Sequence, residues 1–304
     1  MEVSQCRGLN GGGCLKKGLP VVRCGPKPRG FGRARIERNF LAENFDHQWK
    51  PILPRRLPVN TPTETPKPAF VLVHGAWHGA WCWARVLPLL RQAGHVAHAV
   101  TLSGVGERAH LMGPDIDLNT HVQDVVGLIQ AEELQRVVLV GHSYGGIVIT
   151  GVADRLQHEH PGLLAHLVYL DAVVPEPGES WSSRHAAETQ QARVKAAESS
   201  GGISFPPPDA CVFGLSGANR DWVNRRQTPQ PFSVYQQALH FNADRVAALP
   251  RAFIDCTNPA LPTIAASRVK VRIDPGWRVV EMDTGHDPMV SAPVELTRHL
   301  LDLT

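Results

Sequence analysis

The sequence predicts an α/β fold with a mostly parallel central sheet, helices on both faces and an inserted helical cap. From Ala69 onward, short apolar runs alternate with segments of helical apolar spacing, which is typical of a parallel sheet. A Gly-x-Ser-x-Gly motif lies between one apolar run and the helix that follows it. Residues 172–245 interrupt the alternation with many Pro and Gly, and we interpret this stretch as the cap.

The predicted strands are short runs rich in Val, Leu and Ile, as expected for strands buried on both faces. They cover residues 70–74, 95–100, 136–140, 166–170, 252–256 and 277–282. The predicted helices carry apolar residues three and four positions apart. They cover residues 81–93, 119–133, 144–156, 186–197 and 293–303. Repeated strand–helix units of this kind imply a parallel sheet with helices on both faces.

The N-terminal region differs in composition from the rest of the 304 residues. Residues 1–68 contain 13 Lys and Arg against 5 Asp and Glu, whereas the remainder contains 18 basic and 23 acidic residues. The first stretch is rich in Gly and Pro and can bury little apolar surface. We therefore predict a basic, disordered extension with a Pro/Thr linker over residues 1–67 and a globular domain over residues 68–304.

The composition also excludes several classes of function. The mildly acidic body gives no reason to expect nucleic-acid binding, and the sequence lacks the run of about 18 apolar residues that a membrane helix requires. The N-terminus has no apolar stretch of secretory type. Six cysteines without zinc-site spacing then favour free thiols and a cytoplasmic location. The oligomeric state is not indicated.

The motif Gly141-His142-Ser143-Tyr144-Gly145 predicts a nucleophilic serine. It follows the apolar run at 136–140 and leads directly into a helix. A serine in such a tight turn has a strained backbone, and side chains two positions before or after it would collide. The turn would project the Ser143 hydroxyl above the sheet at a helix N-terminus, where the helix dipole favours negative charge.

Fifteen histidines could serve as the base for Ser143, and His286 is the best placed. It follows the last predicted strand in the loop Asp283-Thr284-Gly285-His286. The carboxyl ends of the strands, where such loops gather, are where open α/β sheets bind their ligands. A neutral imidazole can accept the serine proton and return it to the leaving group.

Two backbone N–H groups are expected to bind the oxyanion that forms during acyl transfer. The first belongs to Tyr144, the residue after the nucleophile. The second is expected from the loop that follows the strand at 70–74, and the N–H of Ala76 is our choice. These sequence features imply neither a metal nor a cofactor.

With these motifs in view, residues 69–304 resemble the α/β-hydrolase branch that contains plant methylesterases and hydroxynitrile lyases, with many bacterial relatives. The matching segments are residues 70–81 (FVLVHGAWHGAW), 141–146 (GHSYGG) and 285–286 (GH), and bacterial members also resemble residues 101–110 (TLSGVGERAH) and 169–172 (YLDA). The resemblance implies an α/β-hydrolase fold and ester hydrolysis. It does not extend to residues 1–67.

The chain departs from this resemblance at the acid of the catalytic triad. In the plant enzymes that acid lies in a Cys-Thr-Glu-Asp-like string, whereas here the corresponding residues 256–259 read Cys-Thr-Asn-Pro. We favour Asp171, because it follows the strand after the nucleophile helix and keeps the chain order serine, acid, histidine. Asp255 and Asp283 remain alternatives.

A second departure concerns lyase chemistry. Hydroxynitrile lyases of this branch have a threonine after the oxyanion-loop histidine and a lysine after the catalytic histidine. This chain has Gly75 and Asp287 there, so no cation is available to support cyanide release. We therefore predict hydrolysis of small, moderately apolar carboxylic esters, with aromatic side chains of the cap forming an apolar wall of the pocket. A hydroxynitrile lyase or other C–C cleaving enzyme and a non-catalytic small-molecule receptor are the alternatives.

Overall fold

The computed structural model describes residues 67–303, and six of its strands form one parallel sheet. The strands in chain order are β1 (Ala69–Val73), β2 (Ala97–Val100), β3 (Val137–His142), β4 (Leu164–Leu170), β5 (Ser204–Phe205), β6 (Gln230–Pro231), β7 (Arg251–Cys256) and β8 (Trp277–Met282). The large sheet has the order β2-β1-β3-β4-β7-β8, and β5 pairs with β6 in a separate antiparallel ladder. The parallel sheet confirms the predicted α/β class. Apart from Lys67, the predicted extension over residues 1–67 lies outside the described residues.

Ten α-helices occur within residues 67–303. They are α1 (Leu87–Gln92), α2 (Leu118–Ala131), α3 (Gly145–Glu159), α4 (Ala187–Glu198), α5 (Gly217–Asn224), α6 (Ser233–Gln236), α7 (Ala243–Ala247), α8 (Ala265–Ile273), α9 (Pro288–Ser291) and α10 (Pro293–Asp302). Helix α2 packs on α3, and α1 packs on α10. Right-handed crossovers that leave β1 in both directions place these two pairs on opposite faces of the sheet. None of the helices in this part of the chain is long and apolar enough to cross a membrane.

The sheet brings its functional loops to one edge because all neighbouring strands of the large sheet run in the same direction. Strand β3 lies between β1 and β4, with Val140 opposite Leu72 and Val168. Every residue of β1 and β3 is buried, which explains why their sequences are continuous apolar runs rather than alternating ones. The carboxyl ends of β1, β3, β4, β7 and β8 therefore lie side by side.

The segment predicted as a single helix over residues 81–93 contains two shorter elements. A 3₁₀-helix covers Ala80–Trp83, and helix α1 begins at Leu87. Pro88 lies in the first turn of α1, where its missing N–H costs nothing, and this position favours a new helix start over continuation of the earlier turn. The single-helix prediction was therefore wrong in this respect.

Residues 171–250 connect β4 to β7 and contain four short helices and the β5–β6 ladder. Their aromatic side chains are largely buried, among them Trp181, Phe205, Phe213 and Tyr235. These residues include the stretch predicted as a cap, 172–245. The connection is much longer than the few residues that usually join elements of an α/β sheet, which is typical of a segment that contributes to function.

Candidate active site

Ser143 occupies a sharp turn between β3 and α3 with a positive φ of 54°, which is rare for a residue other than glycine. Close backbone contacts surround this turn. A Cβ on Gly141 would lie 2.6 Å from the carbonyl oxygen of Gly145, and a Cβ on Gly145 would lie 2.8 Å from the carbonyl oxygen of His74. Both positions therefore require glycine, as the sequence pattern predicted.

Backbone hydrogen bonds fix the turn to the neighbouring strand. The Ser143 N–H donates to the carbonyl oxygen of Leu170 over 3.2 Å, and the Ser143 carbonyl accepts from the N–H groups of Gly146 and Val173. The Ser143 side chain is partly exposed although the residues around it are buried. The hydroxyl lies at the N-terminal end of α3, where the helix dipole stabilises negative charge.

The loop after β1 lies directly against this serine. A Cβ on Gly75 would lie 2.9 Å from the Ser143 Cβ, so glycine is what allows the close approach. Within residues 67–303, the N–H groups of Ala76 and Tyr144 donate to no other protein group. Two unpaired backbone donors beside a partly exposed hydroxyl can bind an oxyanion.

His74 holds the start of this loop in a fixed and uncharged form. Its Nδ1–H donates to the carbonyl oxygen of Gly75 over 2.7 Å, and its Nε2 accepts from the N–H of Leu102 over 3.1 Å. Burial lowers the pKa of His74 to about 3. The ring is therefore neutral at ordinary pH, and its role is to brace the loop.

His286 and Asp171 form a buried hydrogen bond at the carboxyl edge of the sheet. The Nδ1–H of His286 donates to Oδ2 of Asp171 over 2.6 Å, and both side chains are at most 2% exposed. The His286 N–H donates to the carbonyl oxygen of Phe213 over 2.9 Å. Asp171 has a φ of 40° and directly follows β4, next to the strand that ends at the serine turn.

The other two carboxylates considered for this role have different surroundings. Asp255 is buried in β7, where Arg268 Nε donates to its Oδ1 over 2.5 Å and Arg272 donates to its Oδ2 over 2.5 Å. Asp283 is exposed. Among the three candidates within the described residues, Asp171 is the one that contacts His286.

Arg268 is a residue of this site that the sequence analysis missed. Its Nη2 donates to Oδ1 of Asp171 over 2.6 Å while its Nε contacts Asp255, so one guanidinium holds both carboxylates. Charge-assisted hydrogen bonds of this type fix the orientation of a carboxylate. A signal was available, since Arg268 and Arg272 are four residues apart and a helix would put them on one face.

His78, His142 and Asp287 form a second buried cluster beneath His286. Nε2 of His78 lies 3.2 Å from Oδ2 of Asp287, and Nε2 of His142 donates to the carbonyl oxygen of His286 over 2.8 Å. Burial, together with the neighbouring His286, lowers the pKa of His142 well below its ordinary value, so that ring is neutral. The sequence analysis named His142 only as part of the serine motif and Asp287 only as the residue in the place of a lyase lysine, and it did not predict their cluster with His78.

One metal-binding geometry is conceivable in the described part of the chain. Ligand atoms of His142, His286 and Asp287 lie within 4.8 Å of one another. Each of these side chains makes one hydrogen bond, His142 Nε2 with the His286 carbonyl, His286 Nδ1 with Asp171, and Asp287 Oδ2 with His78, whereas His142 Nδ1 and Asp287 Oδ1 have no hydrogen-bond partner among the described residues.

Aromatic residues of the 171–250 segment pack on His286 and on the side chains of residues next to the serine turn and the oxyanion loop. The Trp181 ring lies 5.0 Å from the Tyr144 ring and 5.8 Å from the Trp77 ring, and the Phe213 ring lies 5.7 Å from the His286 ring. Trp222 instead packs on Trp81. Some of these aromatics thus face the site, and others pack elsewhere.

The sequence of this chain is similar to characterised enzymes. The profile of the alpha/beta hydrolase family matches residues 70–299. A carbendazim hydrolyzing esterase of Nocardioides sp. (strain SG-4G) is 42% identical over 245 residues, covering 77% of this chain and 98% of that protein. Methylesterase 2 of Arabidopsis thaliana is 29% identical over 269 residues, covering 78% and 96% respectively.

Solved structures share the fold. An extracellular alpha/beta-hydrolase from a Paenibacillus species has a TM-score of 0.67 at 22% identity, covering 78% of this chain and 99% of that one. Tomato methylketone synthase I in complex with 2-tridecanone has a TM-score of 0.65 at 20% identity, covering 79% and 98%. The family profile and the 42% identical esterase confirm the predicted family resemblance and esterase class. The chain belongs to the alpha/beta hydrolase family, in which it is an esterase.

Proposed function

We propose that this esterase is a serine hydrolase that cleaves small, moderately apolar carboxylic esters through an acyl-enzyme intermediate. One observation carries the proposal. Ser143 occupies a positive-φ turn at the same sheet edge as a buried His286–Asp171 hydrogen bond of 2.6 Å. Nucleophile, base and orienting acid in this chain order are the arrangement that acyl transfer by serine requires.

In the proposed mechanism, Ser143 attacks the ester carbonyl while His286 removes the hydroxyl proton. Asp171 accepts a hydrogen bond from Nδ1–H of His286, which leaves Nε2 as the atom that exchanges protons with serine and leaving group. The N–H groups of Ala76 and Tyr144 stabilise the oxyanion. Water then attacks the acyl-enzyme, and His286 assists this second step in the same way.

The proposed substrate class follows from the side chains around the serine. We propose that residues 172–245 act as a cap whose aromatic side chains bind the apolar part of the ester. Trp181 and Phe213 support this, since they pack on Tyr144 and His286. A useful panel therefore contains short-chain and aromatic methyl esters together with carbendazim, the compound in the name of the 42% identical relative.

The charge beside His286 argues against a lyase. Asp287 is buried next to His286 and is an anion, where lyases of this branch have a lysine. Product analysis with a cyanohydrin and with a methyl ester separates the two chemistries. A receptor without turnover would leave Ser143 unreactive toward a fluorophosphonate.

The nucleophile is tested by Ser143→Ala. We expect the kcat for p-nitrophenyl acetate to fall by about four orders of magnitude, because the covalent step is lost. Labelling by a fluorophosphonate should disappear as well. Ser199→Ala, which alters an exposed serine at the end of α4, is the matched control and should retain full activity. Unchanged hydrolysis by Ser143→Ala would refute the proposal.

The triad acid is tested by comparing Asp171→Asn with Asp255→Asn. We expect Asp171→Asn to lower kcat by roughly 10³ to 10⁴, because the amide no longer orients and stabilises the His286 imidazolium. Asp255→Asn should lower kcat by less than about tenfold, since Asp255 contacts Arg268 and Arg272 rather than His286. The reverse order of effects would assign the acid to Asp255.

We further propose that the enzyme works in the cytoplasm. The three cysteines within residues 67–303, namely Cys82, Cys211 and Cys256, are free thiols, as is usual in a reducing compartment. Fractionation of the source cells with activity and antibody detection tests this. Recovery of the enzyme from the medium would contradict it.

A further inference from the structure

One imidazole connects the two loops that supply the oxyanion donor and the catalytic histidine. Nδ1–H of His78 donates to the carbonyl oxygen of Ala76 over 2.7 Å, and Nε2 lies 3.2 Å from Oδ2 of Asp287. Their side chains are 2% and 0% exposed. His78 and Asp287 are 209 residues apart in the sequence, so this contact joins the first loop of the sheet to the loop after its last strand.

The surroundings of His78 favour the protonated, positively charged form of its ring. When Asp287 is ionised, the carbonyl oxygen and the carboxylate oxygen are both acceptors, and each ring nitrogen of His78 then carries a proton. Burial alone would lower the pKa of His78, but Asp287 overcomes this and the pKa is raised. Burial alone would raise the pKa of Asp287, and His78 reverses that shift as well. The pair is therefore a buried imidazolium–carboxylate.

No other cation contacts Asp287 within residues 67–303. His142 is 3.6 Å from Oδ1 of Asp287, but its ring is neutral and its Nε2–H is bonded to the His286 carbonyl. Trp81 stacks on the His78 ring at 5.1 Å and 18°, which fixes the ring plane. His78 alone balances the carboxylate that adjoins His286.

We propose that His78 and Asp287 are a positioning pair for the reaction, an inference that rests on the proposed function. The His78 bond to the Ala76 carbonyl and the bond from the Trp77 N–H to Oε1 of Gln230 hold both sides of one peptide unit. This orients residue 76, whose N–H is the proposed oxyanion donor. The bond to Asp287 sets this loop against the His286 loop, and the positive charge of His78 balances the buried carboxylate that follows His286 in the chain.

The physical chemistry of buried ion pairs supplies a sharp test. Replacing both partners with apolar residues of similar volume is often neutral or stabilising, whereas removal of one partner leaves an uncompensated charge. The double variant His78→Phe/Asp287→Leu should therefore fold with a Tm within a few degrees of the wild type. Its kcat for p-nitrophenyl acetate should fall at least tenfold, with KM within threefold.

A transition-state analogue distinguishes positioning from a structural role. A trifluoromethyl ketone adds to the catalytic serine and places an oxyanion between the two donors, so its affinity reports their alignment. The inhibition constant of the double variant should rise in proportion to the fall in kcat/KM. Val126→Ala, which removes buried methyl groups from α2, is the control and should lower Tm without changing the inhibition constant.

A folded double variant with kcat and inhibition constant within twofold of the wild type would overturn the inference. If that variant does not fold, Asp287→Asn replaces it, since asparagine preserves size and still accepts a hydrogen bond from His78. An at least tenfold loss of kcat with a parallel loss of inhibitor affinity then supports the inference, and wild-type values for both overturn it. Failure of the proposed function is recognised separately, because Ser143 of the wild type would then not be labelled by a fluorophosphonate.

Discussion

Three residues of the candidate site have positive φ although they are not glycine. Trp77, Ser143 and Asp171 have φ values of 64°, 54° and 40°, and they follow β1, β3 and β4 at one edge of the sheet. Residues in this region store strain and persist only where the surroundings determine the conformation. The flanking glycines predict this conformation for Ser143, but no neighbouring residue predicts it for Trp77 or Asp171. The backbone conformations of Trp77 and Asp171 are determined by contacts that form only in the folded chain.

Gly75 offers a test of how closely the oxyanion loop must approach the serine. A Cβ at this position would lie 2.8 Å from Nδ1 of His142 and 2.9 Å from the Ser143 Cβ, so Gly75→Ala must displace the loop. We expect a fall of at least about tenfold in kcat/KM, because displaced donors lose alignment with the oxyanion. Gly113→Ala is the control, since its nearest neighbour is the Leu111 carbonyl oxygen at 3.8 Å. Equal activity of the two variants would show that the loop tolerates the displacement.

At the scale of elements, the sequence predicts those whose apolar pattern matches their burial. The β8 bounds agree with the prediction, and α2 and α10 agree within two residues. Helix α8 was not predicted, because Val269, Val271 and Ile273 alternate with charged residues in a period of two. In the fold only Val271 of these three is buried, and α8 is fixed by its basic residues instead. The contact of Arg268 in α8 with Asp171 could therefore not be predicted from the sequence.

Helices α2 and α3 allow a paired prediction about glycine. Gly127 lies within α2, where a Cβ would meet only the side chain of Gln123 at 3.8 Å. Gly127→Ala should raise the free energy of unfolding by about 0.5–1 kcal/mol, because glycine loses more backbone entropy in a helix than alanine does.

In α3, a Cβ on Gly151 would lie 2.8 Å from Val122 Cγ2 at the contact with α2. Gly151→Ala should lower the free energy of unfolding by about 1–3 kcal/mol through overpacking. Urea unfolding of the two variants and the wild type measures both changes.

At the scale of the molecule, the fold and the serine–histidine pair could be predicted because both depend on local patterns. Alternating apolar runs predicted the sheet, and a short motif predicted Ser143. The supporting residues could not be predicted in this way, since Arg268 and Asp171 are 97 residues apart and meet only in the folded chain. Contact between His78 and Asp287 depends on the strand order in the same way. Such pairings follow from topology, which pattern alone does not specify.

The buried histidines also make a property of the whole molecule predictable, its stability in acid. Burial lowers the pKa of His74 to about 3 and that of His121 to about 4, from an ordinary value near 6.5. Below pH 6.5 the unfolded chain binds protons that the folded chain excludes, so the free energy of unfolding decreases as the pH is lowered. The expected loss is about 1.4 kcal/mol per pH unit for each of the two histidines. The raised pKa of His78 changes the free energy of unfolding only above pH 6.5, and the lowered pKa of Asp287 changes it only below about pH 3.8. Neither group therefore offsets the loss between these values.

Between pH 6.5 and 4.5 these two histidines should therefore remove about 4 kcal/mol, a large part of the total stability of a typical domain. Urea unfolding at the two pH values measures the difference. His121→Asn removes one of these groups and should reduce the pH-dependent loss by about 2 kcal/mol, while the other histidines with lowered pKa values, among them His74 and His142, keep their contributions. His158→Asn, at an exposed position in α3, should leave the loss as it is in the wild type. If the two variants lose stability equally on acidification, proton exclusion from His121 does not contribute to the acid response.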